Sequence, residues 1–167
     1  NQTNALIVAE NTDAAALRAA SLSVSQRIPM VTYDESIRGQ ISELATDLGV
    51  DQIVVVGDVP WASQYGLREV IHDPGNTKAL GEYTAFRFTS KVVKDPSRIV
   101  DNVAHLNSSE KTELKAAWEP LPQRITKEKM PAIPAEARRD SQMAPVIVAT
   151  VDSPVAVSYT HLRAHET

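Results

Sequence analysis

The sequence predicts an α/β fold, with a parallel sheet covered by helices on both faces in a Rossmann-like or flavodoxin-like arrangement. It reads as a single domain plus the truncated start of a second repeat. Three observations predict this. Short, continuously apolar runs recur at residues 5–9 (ALIVA), 28–32 (IPMVT) and 53–57 (IVVVG). Strands buried on both faces read this way, whereas half-solvated strands alternate. Segments of helical character separate the runs. Finally, 167 residues with 43% apolar content suit one globular domain of ordinary size and a fragment of another.

The first strand leads into DAAALRAASLSVSQ at residues 13–26, an Ala- and Leu-rich helix with Thr12 or Asp13 available as N-cap. Its small side chains let it lie close on the sheet. In the second strand Pro29 falls among the first residues, where a missing ladder N–H matters least. Asp34 can cap the next helix. There Ile37, Ile41, Leu44 and Leu48 are spaced 4, 3 and 4, which is one helical face. Gly49 is its left-handed C-cap candidate. The run at 53–57 completes β-α-β-α-β.

Residues 67–71 (LREVI) read as a fourth strand, stopped by the turn signal DPGN at 73–76. Residues 85–89 (AFRFT) alternate and fit either a strand or the end of a helix. Asp95-Pro96 opens a helix with Pro at the favoured first position, and Ile99, Val103 and Leu106 lie on one face. A further helix is expected from Asn107 or Ser108, with Glu110 near its positive end and Leu114 and Trp118 buried. Residues 1–118 then form the domain. From 119 to 143 the pattern stops. That stretch holds four of the ten prolines and nine charges of mixed sign, and reads as a solvated linker or a long crossing loop.

Residues 144–156 open a second repeat. VIVATVDSPVA at 146–156 aligns with LIVAENTDAAA at 6–16, with four identities at a constant offset of 140 residues. The last eleven residues, VSYTHLRAHET at 157–167, break this pattern. They are identical to one translated reading frame of a transposon-end adapter used in sequencing libraries. This implies a gene fragment with a non-native tail. His161 and His165 have the i, i+4 spacing of helical zinc ligands but carry no metal site on this reading. The opening NQTNALIVAE lacks an initiator Met and is expected to be a cut front, from which a signal peptide has been lost.

Composition excludes several functions. Net charge is −4, which gives no electrostatic case for nucleic acid or an anionic membrane surface. The absence of cysteine removes thiolate zinc, disulfides and thiol catalysis. No apolar run is long enough to span a bilayer. Catalytic patterns are missing too. The first strand-to-helix turn reads AENTDA without the glycines of a dinucleotide cradle, and there is neither a Gly-Lys-Ser loop nor a Gly-x-Ser-x-Gly elbow. His72 and His105 read as surface or packing residues. Asp51, Asp58 and Asp73 have no spacing that implies a carboxylate pair.

Residues 5–63 resemble the type 2 cell-wall-binding repeat family of Gram-positive bacteria, divergent actinobacterial members above all. The family runs as strand, small-residue helix, Pro-Ile-Leu-Leu strand, helix, Leu-Gly-Val, apolar strand and Gly. Here Ala16-Leu17 and Ala19-Ala20-Ser21-Leu22 stand for its Ala-Leu and Ala-Ala-Pro-Leu, and Pro29-Met30-Val31-Thr32 falls at Pro-Ile-Leu-Leu. Leu48-Gly49-Val50, residues 53–56, Gly57 and Ala62-Ser63 match the third part. Residues 149–154 are similar to its opening Ala-Thr-Gly-Asp, with Val151 for Gly. Ala15 and Val155 replace the family's helical Asp, Asp58 replaces the second Gly of its Gly-Gly, and Pro60 replaces a further Gly. The resemblance implies a secreted, extracellular, non-catalytic module. It would bind a cell-wall polymer or glycan through tandem repeats packed on one another, with no cofactor.

In an open parallel sheet, ligands sit beyond the carboxyl ends of the strands. The candidate binding residues there are Asn11, Thr12, Asp13, Tyr33 and Asp58, whose hydroxyl, amide and carboxylate groups suit sugar hydroxyls. Trp61 joins them as a face for a sugar ring or as a half-buried loop anchor. The plainer reading of Thr12, Asp13 and Asp34 is helix capping. The alternative function is a Rossmann-like nucleotide- or sugar-binding domain of an enzyme fragment, and a third is an interaction module without a small ligand.

Overall fold

The run ALIVA is buried along its whole length, so the strand it forms needs cover on both faces. A computed structural model, describing residues 5–60, 69–121, 123, 131–133 and 147–148, shows how that cover is built. The elements are β1 (Ala5–Ala9), α1 (Asp13–Gln26), β2 (Met30–Thr32), α2 (Arg38–Leu48), β3 (Gln52–Val56), β4 (Glu69–His72), α3 (Thr77–Thr84), β5 (Thr89–Val93), α4 (Ile99–Ala104), β6 (Thr112–Ala116) and β7 (Ile147–Val148).

The main sheet has the order β4-β3-β1-β2-β7 and is parallel at every pairing. Within it, β2-β1-β3-β4 is the order of a doubly wound sheet of flavodoxin type. Ile7 stands opposite Met30 on one side and Val54 on the other. Alternate residues face opposite layers. Leu6, Val8, Val31, Ile53 and Val55 pack with Ile41 and Ala45 of α2, while Ile37, Leu44 and Leu48 close the edge of that layer. Ala5, Ile7, Ala9, Met30, Val54 and Val56 pack with α1.

Helix α1 is buried on nearly every side, as a helix must be when no broad polar face exists. One side lies on the main sheet. The other is covered by a second, two-stranded parallel sheet of β5 and β6, in which Lys91 stands opposite Leu114. Ala15, Ala19 and Ala20 have no exposed surface, so both sheets come close to the helix axis. Ser21 Oγ joins the layers, donating to Leu17 O at 2.8 Å and accepting the Leu114 N–H at 2.9 Å. A two-stranded sheet is marginal alone; α1, Ile99 and Val103 of α4, and Phe88 give β5–β6 its core.

The helix carries one buried charge. Arg18 grips Asp73 with two bonds of 2.9 Å, reaches Glu113 Oε2 at 2.5 Å and donates to Asn76 O at 2.8 Å. Glu113 Oε1 accepts from Thr77 (2.6 Å) and Ser90 (2.8 Å), with Lys115 Nζ at 3.8 Å. Tyr83 donates its hydroxyl to Asp73 at 3.2 Å. The cluster thus sets two cations against two carboxylates and ties α1, the β4–α3 turn, β5 and β6 together.

The expected helix from Asn107 or Ser108 is corrected: residues 112–116 are strand β6. Leu114 is buried as expected and Trp118 packs at the edge of the core. The spacing of those two residues suggested a helix. Pairing with β5 and contact with α1 overrides that local preference. The fourth strand is found as Glu69–His72, with residues 67 and 68 outside the described set. Residues 85–88 are neither strand nor helix, because Ala85 ends α3 in the left-handed conformation and β5 starts at Thr89. Helix α3 was not anticipated. From the stretch at 119–143, residues 119–121, 123 and 131–133 are described. Ile133 is fully buried, donates its N–H to Tyr83 O at 2.9 Å and accepts from Gln26 Nε2 at 2.5 Å. Ile147–Val148, at the expected second start, pair with the outer edge of β2.

Two outcomes follow. Ile133→Ala should destabilise the domain by about 2–5 kcal/mol in urea titrations, the range for truncating a fully buried aliphatic side chain. The second concerns alkali. Burial, first, and then the Asp73 carboxylate push the Tyr83 phenol well above its ordinary value. A raised phenol pKa stabilises the fold fully below the unfolded value near ~10, and that stability is lost as pH climbs beyond it. Stability should therefore fall above that pH, and Tyr83→Phe should make the fall shallower.

Candidate functional site

In a doubly wound sheet the ligand crevice opens where successive crossovers turn in opposite directions. Helix α1 carries the chain from β1 to β2, and α2 carries it back past β1 to β3. The crevice therefore belongs between the carboxyl ends of β1 and β3. Two backbone bonds continue the ladders there: Glu10 N to Val56 O at 2.8 Å and Tyr33 N to Ala9 O at 2.7 Å. They fix the ends of all three strands at one level.

The turn after β1 carries Asn11, Thr12 and Asp13. Asn11 is exposed. Thr12 is extended and accepts the Ala15 N–H at 3.3 Å, so it is the N-cap of α1. Asp13 accepts from Trp118 Nε1 at 3.2 Å. After β3, Gly57 takes φ 83. A Cβ there would lie 2.7 Å from Glu10 Cβ and Oε1, and that close approach calls for glycine. The exposed Asp58 is joined to the β1 end because its N–H donates to Glu10 Oε1 at 3.1 Å.

Beyond β2, Tyr33 packs largely buried in the layer with α2. Its hydroxyl donates to Glu35 Oε2 at 2.5 Å, and this bond, more than burial or the Glu35 charge, raises the phenol pKa. Asp34 caps the turn before α2, accepting from Ser36 Oγ (2.7 Å) and Ser36 N (2.9 Å). The hydroxyl bond, then the backbone one, hold its carboxyl below the usual carboxylate range. Of the predicted residues, Asn11, Thr12, Asp13 and Asp58 thus meet around Glu10, and Tyr33 flanks them past β2. Trp61 lies outside the described residues.

Two residues were missed. Glu119 Oε1 accepts the Ala14 N–H at 3.0 Å, and Trp118 reaches Asp13 from the same segment. The mistaken helix hid them, because it pointed Trp118 inward and left Glu119 to the linker. The carboxylates of Glu10, Asp13, Asp34, Glu35, Asp58 and Glu119 lie along these strand ends. The surface offers acceptors and one exposed amide, while the hydroxyl of the buried Tyr33 is taken by Glu35. It suits a hydroxyl-rich ligand and repels phosphate. Among the described residues no group of three or more His, Cys, Asp or Glu is placed to hold a metal ion, and no helix is long and apolar enough to cross a membrane.

Gly57→Ala should cost about 1–3 kcal/mol, read from the urea midpoint, because it combines a left-handed backbone with the Glu10 clash. Adding Glu10→Ala should recover part of that loss by removing the Oε1 half of the clash.

No family model, no curated protein and no solved structure matches the chain significantly.

Proposed function

We propose that this chain is a non-catalytic anchoring module of the cell envelope, holding a Gram-positive cell-wall polymer non-covalently through tandem copies. One observation carries the choice over a nucleotide-binding domain. In a sheet of this order, phosphate would sit at the N-terminus of the first helix and in the cleft between β1 and β3. The chain's own carboxylates fill both places, Glu119 at Ala14 N and Glu10 at Asp58 N. A pyrophosphate would have to displace two like charges before gaining either hydrogen bond. A glycan hydroxyl meets no such barrier.

The resemblance of residues 5–63 supports a wall polymer as the glycan and a location outside the cell. Asn11 and Asp58, both exposed, are the residues expected to touch it. Few donors on one small surface make single-site binding weak, and joining copies raises the apparent affinity through effective concentration. Neighbouring copies of the chain are then its natural partners.

Purified Gram-positive walls should sediment three tandem copies of residues 1–156 on the order of 100-fold more tightly than one copy. Stripping the polymer should abolish this, and Asn11→Ala with Asp58→Ala should weaken it. Equal binding to stripped walls, or thermal stabilisation by a nucleotide, would refute the role.

A further inference from the structure

Helix α1 spans about 20 Å, so its C-terminus lies at the pole opposite the strand carboxyl ends. Arg27 ends the helix there in the left-handed conformation (φ 54), a position where glycine is ordinarily favoured. Its Nη2 donates to Ser108 Oγ at 2.9 Å. Lys111 Nζ donates to Ser108 O at 2.9 Å and Ser25 O at 3.2 Å, and stands 4.7 Å from the centroid of the Phe86 ring. Ser108 thereby draws two cations together.

Neither cation makes an ion pair among the described residues. Glu110, the carboxylate next in sequence to Lys111, is exposed and pairs with neither. Burial, first, and then the Arg27 charge push the Lys111 ammonium below the ordinary lysine range. Phe86 is 54% exposed although Lys111 covers part of it, and its N–H is fixed on Thr84 Oγ1 at 3.1 Å. Capping the carbonyls of α1 explains Lys111 alone. It explains neither an arginine in a glycine conformation nor an exposed aromatic ring beside Lys111.

We propose that Arg27, Lys111 and Phe86 form a subsite for an anionic sugar, the Arg27 guanidinium holding a phosphodiester or carboxylate, the Lys111 charge beside it adding attraction while its N–H groups stay on Ser25 O, Ser108 O and the Phe86 ring, and the exposed part of Phe86 packing on the sugar. Aromatic faces bind the C–H side of sugars, and guanidinium holds such anions with charge-assisted bonds. A nucleic acid needs a track of cations matched to closely spaced phosphates. This chain has a net charge of −4, and the pair suits a glycan with one charge per repeat unit. The wall as source of that glycan rests on the proposed anchoring role; the anionic-sugar chemistry rests on these three residues.

Affinity electrophoresis tests it, with the full chain run in gels holding glucosylated poly(glycerol phosphate), polygalacturonate, dextran or single-stranded DNA. At least one anionic glycan should retard the chain and dextran should not; which one responds identifies phosphodiester or carboxylate. Arg27→Gln should weaken retardation roughly tenfold, and Phe86→Ala, at an exposed position, roughly several-fold. Unchanged retardation of both variants, equal retardation by dextran, or tighter binding to DNA overturns the subsite. Should both variants keep the parent's retardation while the parent sediments with walls, the subsite fails and the anchoring role stands. Should the parent bind the soluble glycan but not walls, the reverse holds.

Discussion

The buried guanidinium of Arg18 holds this domain in one arrangement. A helix enclosed by two sheets has little else to fix its rotation, because small side chains such as Ala15, Ala19 and Ala20 pack similarly at several angles. Four hydrogen bonds to Asp73, Glu113 and Asn76 remove that freedom. Buried ion pairs often contribute little net stability compared with apolar packing, yet breaking one leaves an uncompensated charge. Here a wrong docking of β5–β6 on α1 parts Glu113 from Arg18 and Thr77 and leaves it only Ser90 and Lys115 of its own sheet among these partners. The network acts on specificity, while the apolar core of α1, β6 and α4 supplies the stability.

That fixed docking also decides what happens at the carboxyl ends of the strands. β6 runs antiparallel to α1, from Lys111 beside Ser25 to Glu119 beside Ala14. Once Glu113 is held by Arg18, the chain leaving β6 has one direction, toward the first turn of α1. Trp118 and Glu119 arrive there because of a salt bridge formed four to six residues into the helix. The charge that seals the helix N-terminus is thus a consequence of the charge buried in its middle. The same geometry sends Lys111 to the other end, beside Arg27.

The main sheet was legible because its signals are local. Continuous apolar runs give strands buried on both faces, Thr12 and Gly49 mark helix ends, and the 4, 3, 4 spacing gives the buried face of α2. The second layer was not, because β5 and β6 are strands only by virtue of each other and of α1. TELKA has the composition of a helix, and nothing within it announces a partner twenty-odd residues earlier. One trace was available: Arg18 is the lone charge inside an Ala-rich helix whose other residues need burial. A helix with no polar face cannot leave an arginine in water, so a carboxylate had to meet it. Which one was a question of tertiary geometry. Asn11, Thr12, Asp13 and Asp58 lie at the carboxyl ends of β1 and β3, but the bonds that occupy the first turn of α1 there come from Glu119 and Trp118, more than a hundred residues away in sequence.

The edge of the sheet bears on how copies would join. β1 uses both its edges, pairing over five residues with β3 and three with β2. The segment at 146–149 repeats its sequence, yet Ile147–Val148 pair with the outer edge of β2. On the proposed tandem reading, the strand of a second copy would be a centre, needing both edges for its own neighbours. It cannot serve there fully and also extend the first sheet. The ladder to β2 spans two residues, whereas the ladder β1 forms with β3 spans five. Hydrogen bonds and buried apolar pairs grow with ladder length, so a completed copy would draw the strand away from β2. The vacated edge is short and follows Pro29, which limits how well another strand could occupy it. Copies would then stand as separate tiles rather than as one continuous sheet, and cooperation between them would come through the chain and the shared polymer.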